Sequence, residues 1–172
     1  LFVLEDDVSL VPFSVRWKLV REGTAHLPNV ICHKSGPYLI SSATFPTYFL
    51  PDEEAVIRSH AQLDLALFWR IAQSMNIAAR YAGEEPASRV TGLYNQVMAR
   101  ELPGQGLRFV EVPRKTLDGV PVSASTVRSL IRDGRLEDIR PLVPETTWAY
   151  FRSPEAGLVI ATIRAAKDVV HY

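Results

Sequence analysis

Val122-Ser123-Ala124-Ser125-Thr126-Val127-Arg128 reads as the turn into a helix after an extended stretch. Small hydroxyl side chains at a helix start accept hydrogen bonds from its unpaired N–H groups, and the same exposed groups can hold phosphate. The spacing predicts a helix over residues 126–133, beginning near Ser125, with Arg128 in the first turn. A cation there is opposed by the helix dipole by about 0.3–1 kcal/mol at an exposed site, unless an anion lies close. Two readings follow from spacing alone: an ordinary N-cap beside a solvated arginine, or a seat for a polyphosphate.

Upstream of this turn, short apolar β-type runs alternate with helical stretches. Leu1 to Leu4 reads as a strand ending in Glu5-Asp6-Asp7, and Phe13, Trp17 and Val20 recur at helical intervals. Pro28 introduces a short strand, Asn29-Val30-Ile31-Cys32. Residues 33–51 have no clean period and carry Gly36, Pro37, Pro46 and Pro51, a long irregular stretch of the kind that is usually functional or flexible. Leu63, Leu67, Ile71 and Met75 then mark a helix over residues 60–75, and Leu65, Phe68, Trp69 and Ala72 predict burial over much of its girth. Residues 77–83 form a strand ending in Gly83, residues 91–102 a helix stopped by Pro103-Gly104, and residues 107–112 an alternating strand. Helical pieces follow near residues 136–142, 146–151 and 154–167. That order predicts an α/β fold, a parallel sheet with helices on both faces. Ligands of such sheets bind beyond the carboxyl ends of the strands, which places Glu5, Gly83 and Arg114 on the candidate edge.

The bulk numbers narrow the function. A chain of 172 residues suits one domain, here residues 1–172, and 47% hydrophobic residues supply an ample core. Nineteen basic and 19 acidic residues cancel, which argues against a partner held by bulk electrostatics, such as nucleic acid or an anionic membrane. Any polyanion bound here is small and held locally. Cys32 is the only cysteine, so no internal disulfide forms, and a reducing cytoplasm is the expected setting. No apolar run approaches the ~18 residues of a membrane span. The opening on Leu1-Phe2-Val3-Leu4, without methionine, is read as the start of a fragment.

Several further residues carry chemistry of an open kind. Arg114 and Lys115 follow a strand at the candidate edge, and Arg16 lies one turn into the first helix; each suits phosphate or plain surface charge. Glu84 and Glu85 suit magnesium, a ribose or an amine, or solvent. Tyr94 offers a ring for stacking and Asn95 an amide, against ordinary helix packing. His26, His33, His60 and His171 show no metal-ligand spacing, so no protein-bound metal centre is expected.

The Val122–Arg128 segment resembles the second signature of the nucleotidyltransferase superfamily, I-S-S/A-S/T-x-x-R/K. Longer blocks are similar to one family within it, citrate lyase ligase. They are Tyr38-Leu39-Ile40-Ser41-Ser42-Ala43-Thr44-Phe45-Pro46-Thr47-Tyr48-Phe49, Gly83-Glu84-Glu85-Pro86, Tyr94-Asn95-Gln96-Val97-Met98, Val112-Pro113-Arg114-Lys115-Thr116 and Leu142-Val143-Pro144-Glu145-Thr146-Thr147-Trp148. The match runs in order from about Leu1 to Arg164, and the block starting at Tyr38 is its most specific part.

The resemblance implies a Rossmann-like sheet of nucleotidyltransferase type, truncated at its N-terminus. It implies that ATP, with Mg²⁺, activates acetate as acetyl-adenylate. The acetyl group then passes to the thiol of a coenzyme-A-like prosthetic group on the acyl carrier subunit of citrate lyase. Ser123, Ser125, Thr126 and Arg128 would grip the departing pyrophosphate, with Arg128 the catalytic group. Gly83, Glu85, Tyr94, Asn95 and Arg114 would complete the nucleotide site, Gly83 letting adenosine approach the backbone. The family's H-x-G-H turn and its acetyltransferase-like domain are expected upstream of Leu1. Two alternatives remain at this stage: another adenylyl- or cytidylyltransferase of the same fold, or a non-catalytic module that docks on citrate lyase through the block at residues 38–49.

Overall fold

A computed structural model describes residues 2–4, 9–36, 53–84 and 89–167. In chain order its elements are β1 (Phe2–Leu4), α1 (Phe13–Thr24), β2 (Cys32–Lys34), α2 (Glu53–Ser74), β3 (Ala79–Gly83) and α3 (Arg89–Glu101). There follow β4 (Arg108–Val112), β5 (Thr116–Leu117), β6 (Val120–Pro121), α4 (Ala124–Arg132), α5 (Glu145–Arg152) and α6 (Gly157–Ala165). Short 3-10 turns at Pro103–Gln105, Leu136–Leu142 and Pro154–Ala156 join them. The chain divides into two compact units, one of residues 1–37 with 115–172 and one of residues 38–114.

The mixed α/β character expected from the alternation is present, and the strands that flank helices pair in parallel. In the first unit β1 lies beside β2, with Phe2 opposite Cys32 and Leu4 opposite Lys34. In the second, β3 lies beside β4, with Ala79 opposite Arg108 and Gly83 opposite Val112. Each pair is joined through a helix, α1 or α3, as parallel strands require. Among the described residues the strands form three two-stranded sheets. The third is a hairpin that the strand–helix alternation does not predict: β5 and β6 are antiparallel. Its turn is Asp118-Gly119, at φ 51° and 79°. Left-handed φ at both central residues matches the right-handed twist of the strands, which is why Asp-Gly suits this turn.

The core of the first unit is built by Ile131, Ile139, Trp148, Tyr150, Phe151, Val159 and Ile163. Val15 and Leu19 of α1 pack against it. Lys18 donates to Glu155 at 2.8 Å, tying α1 to the turn before α6. That bond raises the Lys18 pKa and lowers that of Glu155, while burial raises Tyr150 beside them. In the second unit Ala61, Leu65 and Ala72 of α2 meet Val97 and Met98 of α3, with Leu102 and Leu107. Buried Asp64 accepts both Arg80 Nη1 and Nη2 at 3.1 Å, and the guanidinium lies 4.5 Å from the Phe68 ring. A charge pair so placed is costly to break from one side, since either ion alone is left half-buried.

The expectation that α2 is buried over much of its girth is corrected. Leu63, Leu67, Ile71 and Met75 are exposed at 39%, 37%, 43% and 55%. The buried stripe runs through Ala61, Leu65 and Ala72 instead, two residues out of phase. Two residues turn a helix by about 200°, so the two stripes face opposite ways. The exposed stripe repeats at steps of four and the buried one at steps of four and seven, both helical spacings, and the stripe with smaller residues lets the helix approach its neighbours closely. Boundaries also shift. The helix read at residues 60–75 starts earlier, at Glu53, and the strand read as Asn29 to Cys32 is Cys32–Lys34.

Candidate functional site

In the first unit the hydroxyl cluster forms as the sequence suggested. Ser123 is the N-cap of α4, with extended φ and ψ of −134° and 153°. Its Oγ accepts the Thr126 N–H at 3.1 Å and lies 2.8 Å from both Ser125 Oγ and Thr126 Oγ1. One hydroxyl can accept twice and donate once, so the three side chains form a satisfiable knot. The N–H groups of Ala124 and Ser125, at the first two helical positions, have no intrahelical acceptor. Among the residues of the first turn none is acidic.

Arg128 needs a correction. With Ser123 as the cap, α4 begins at Ala124, earlier than the expected start near Ser125, and Arg128 is its fifth residue. It therefore stands past the first turn, where opposition from the helix dipole has already faded. It is half-buried. The helix also follows the β5–β6 hairpin, not a strand of a parallel pair.

In the second unit the carboxyl ends of β3 and β4 gather most of the other candidates. Gly83 closes β3, and a Cβ placed on it would meet no atom within 4 Å. Glu84 N donates to Val112 O at 2.9 Å, extending the parallel pairing by one residue. Its carboxylate Oε2 accepts the Arg114 N–H at 3.2 Å, while Arg114 Nε donates to the Glu84 carbonyl at 3.0 Å. Glu84 and Arg114 are thus locked to each other across the strand ends. Tyr94 is half-buried and packs against the α2–α3 core.

Asn95 is the best-anchored polar group of this edge. It is 4% exposed, and its Nδ2 donates to the Gly83 carbonyl at 3.0 Å and to Glu111 Oε1 at 2.5 Å. Both amide hydrogens are thereby used, and the buried Oδ1 has no hydrogen-bond partner among the described residues. Glu111 escaped the sequence reading. Its signal was parity: Leu107, Phe109 and Glu111 alternate along one strand, so a carboxylate stands where an apolar side chain would be expected.

Of the other expectations, Glu85, the acidic run Glu5-Asp6-Asp7, the block at residues 38–49 and His171 lie outside the described residues. Lys115 is exposed at the start of the β5–β6 segment, in the first unit, whereas Arg114 belongs to the second. Arg16 Nε donates to the Val11 carbonyl at 3.2 Å. Cys32 is half-buried, with its Sγ 3.7 Å from Thr24 Oγ1. Among the described residues no group of His, Cys, Asp or Glu could hold a metal ion, and no helix is long and apolar enough to cross a membrane.

A family model for the citrate lyase ligase C-terminal domain matches residues 1–151, a span that holds Gly83, Asn95, Arg114 and the hydroxyl-rich start of α4. The chain belongs to the citrate lyase ligase C-terminal domain family. It is 35% identical over 159 residues to the [citrate [pro-3S]-lyase] ligase of Escherichia coli (strain K12), covering 89% of this chain and 45% of that protein. To the protein of the same name from Klebsiella pneumoniae it is 39% identical over 155 residues, covering 87% and 45%. To that of Haemophilus influenzae it is 34% identical over 158 residues, covering 88% and 47%. The chain thus spans under half the length of these curated relatives. No solved structure matches it.

Proposed function

We propose that the protein carrying this chain is an ATP-dependent ligase that acetylates the thiol prosthetic group of citrate lyase. In this reading residues 1–172 act as one nucleotidyltransferase-like domain of Rossmann-like type. An acetate oxygen attacks the α-phosphorus of ATP, and the bond to the β-phosphate oxygen breaks, giving acetyl-adenylate and pyrophosphate. The thiol of the lyase then attacks the acetyl carbonyl and AMP leaves with the electron pair. Family membership over residues 1–151 is the observation that carries the proposal. The names of the relatives support the choice of lyase as acceptor.

The chain's own residues suit the first step. Its demand is to hold negative charge that develops on the departing pyrophosphate, with the reactants in line. The Ala124 and Ser125 N–H groups, the hydroxyls of Ser123, Ser125 and Thr126, and the Arg128 guanidinium supply donors and a cation for that charge. Gly83 is proposed to admit adenosine close to the backbone, and the open space around its Cα supports this. Arg114 is held by Glu84 in a fixed orientation at the same strand ends. Tyr94, on α3 next to Asn95, and Glu85 are proposed to join them. Asn95, with both hydrogens committed, positions the Gly83 carbonyl and Glu111 and does not itself reach the nucleotide. Mg²⁺ is bound largely through phosphate oxygens and water in such sites and needs no protein cage. It would supply charge neutralisation of the triphosphate.

The test is acetate-dependent exchange of labelled pyrophosphate into ATP, followed by acetylation of the deacetylated lyase, using the protein encoded by the complete gene. Both activities are expected. Pyrophosphate release that responds to phosphopantetheine or nicotinamide mononucleotide, and not to acetate, would identify a different nucleotidyltransferase and refute the proposal.

A further inference from the structure

On the first unit, Phe13 and Trp17 of α1 stack with ring centroids 6.3 Å apart. They do not serve the core, which takes Val15 and Leu19 from the same helix. Cations crowd them instead. Arg16 lies 5.6 Å from the Phe13 centroid and Arg21 6.0 Å from that of Trp17. Lys34, the last residue of β2, reaches both rings, at 5.8 and 5.4 Å.

Arg21 and Lys34 are the two cations that meet on the Trp17 ring. Both are exposed, and among the described residues neither has an ion-pair partner. Elsewhere in the same unit Lys18, Arg132, Arg135, Arg140 and Arg152 each lie against a carboxylate, while Lys115, Arg164 and Lys167, like Arg21 and Lys34, have no ion-pair partner among the described residues. Among the described residues, the two cations fixed on one indole form a local positive surface. Stacking on the ring holds the charges in place at little entropic cost, and the rings add flat apolar area beside them.

We propose that this cation–aromatic surface docks an acidic protein partner, with carboxylates against Arg21 and Lys34 and apolar side chains against Phe13 and Trp17. An acidic protein surface fits better than a small anion. The two cations come from different elements and face solvent, and single exposed charge pairs are weak, so binding needs several at once over an extended face. The inference rests on the proposed function, and within it the partner is the thiol-bearing subunit of citrate lyase.

The test compares the protein from the complete gene with its Arg21→Glu/Lys34→Glu and Arg21→Gln/Lys34→Gln variants. Pyrophosphate exchange needs ATP and acetate alone, so it reports folding and nucleotide chemistry independently of docking. Exchange is expected within about twofold of the parent for both variants, while kcat/KM for lyase acetylation falls roughly tenfold on charge reversal and less on neutralisation. The parent's acetylation rate should fall with added salt and that of the reversal variant should not. Unchanged kcat/KM for the lyase in both variants overturns the proposal. A raised KM for ATP in the exchange reaction also overturns it, because the surface then serves the nucleotide. A parent with neither exchange nor acetylation removes the function on which the proposal stands, an outcome distinct from the first two.

Discussion

The two polar edges of this molecule are built on different principles. At the start of α4 the working groups come from consecutive residues: Ser123, Ser125 and Thr126 meet because one cap residue and one helical turn bring them together. At the ends of β3 and β4 they come from far apart, Asn95 reaching Gly83 across 12 residues and Glu111 across 16. The first edge can be read directly from a short motif. The second exists only after α3 has packed on the strands, so it depends on the core beneath it.

That contrast can be broken by experiment, and the sharpest cut is Asn95→Asp. The change is isosteric, yet it sets a second carboxyl against Glu111 and the Gly83 carbonyl at a site 4% exposed. A loss of about 3 kcal/mol or more is expected in urea unfolding at neutral pH. Repulsion and burial raise the carboxyl pKa in the folded state above its unfolded value, so the native state binds the extra proton. The deficit should therefore shrink as pH falls toward the unfolded pKa. A variant as stable as the parent at pH 7 would mean that the long-range edge does not hang on Asn95.

Arg128→Ala tests the local edge through its ligand. ATP affinity should fall by about 1.5–3 kcal/mol, the worth of a charge-assisted contact, with AMP little affected in calorimetry. Equal losses for ATP and AMP would remove Arg128 from the phosphate role. Ser123→Ala is milder, costing about 1 kcal/mol of stability as a lost N-cap. Its effect should stay with α4 in hydrogen exchange, whereas that of Asn95→Asp should spread through α3, β3 and β4. Gly83→Ala should have the smallest structural effect, under about 1 kcal/mol, because an added methyl meets nothing in the protein. A clear loss of ATP affinity in that stable variant would support close approach of adenosine to this strand end.

The sequence reading succeeded where the controlling forces are local. A hydroxyl cap within residues 123–126, the helix-compatible periods, the stop at Pro103-Gly104 and the parallel pairing implied by strand–helix–strand order are all present. Even so, one residue of helix phase moved Arg128 beyond the first turn. The same weakness recurs in both long helices. In α1 the period through Phe13 and Trp17 is real, but the core takes Val15 and Leu19, and in α2 it takes Ala61 and Leu65 over Leu63 and Leu67. Glu111 went unread because its partner is a helix residue whose direction no pattern in the strand reveals.

From the sequence by itself came the order of the helices and parallel strands, the family and the hydroxyl cap, since these depend on neighbouring residues and on order along the chain. Tertiary packing alone decided which stripe of α1 and α2 faces inward, that Asn95 would bind Glu111, and that Arg21 and Lys34 would share one indole. The physical reason is that a repeat of four residues marks several stripes on a helix equally well. Only the fit of side chains against a neighbouring surface selects among them.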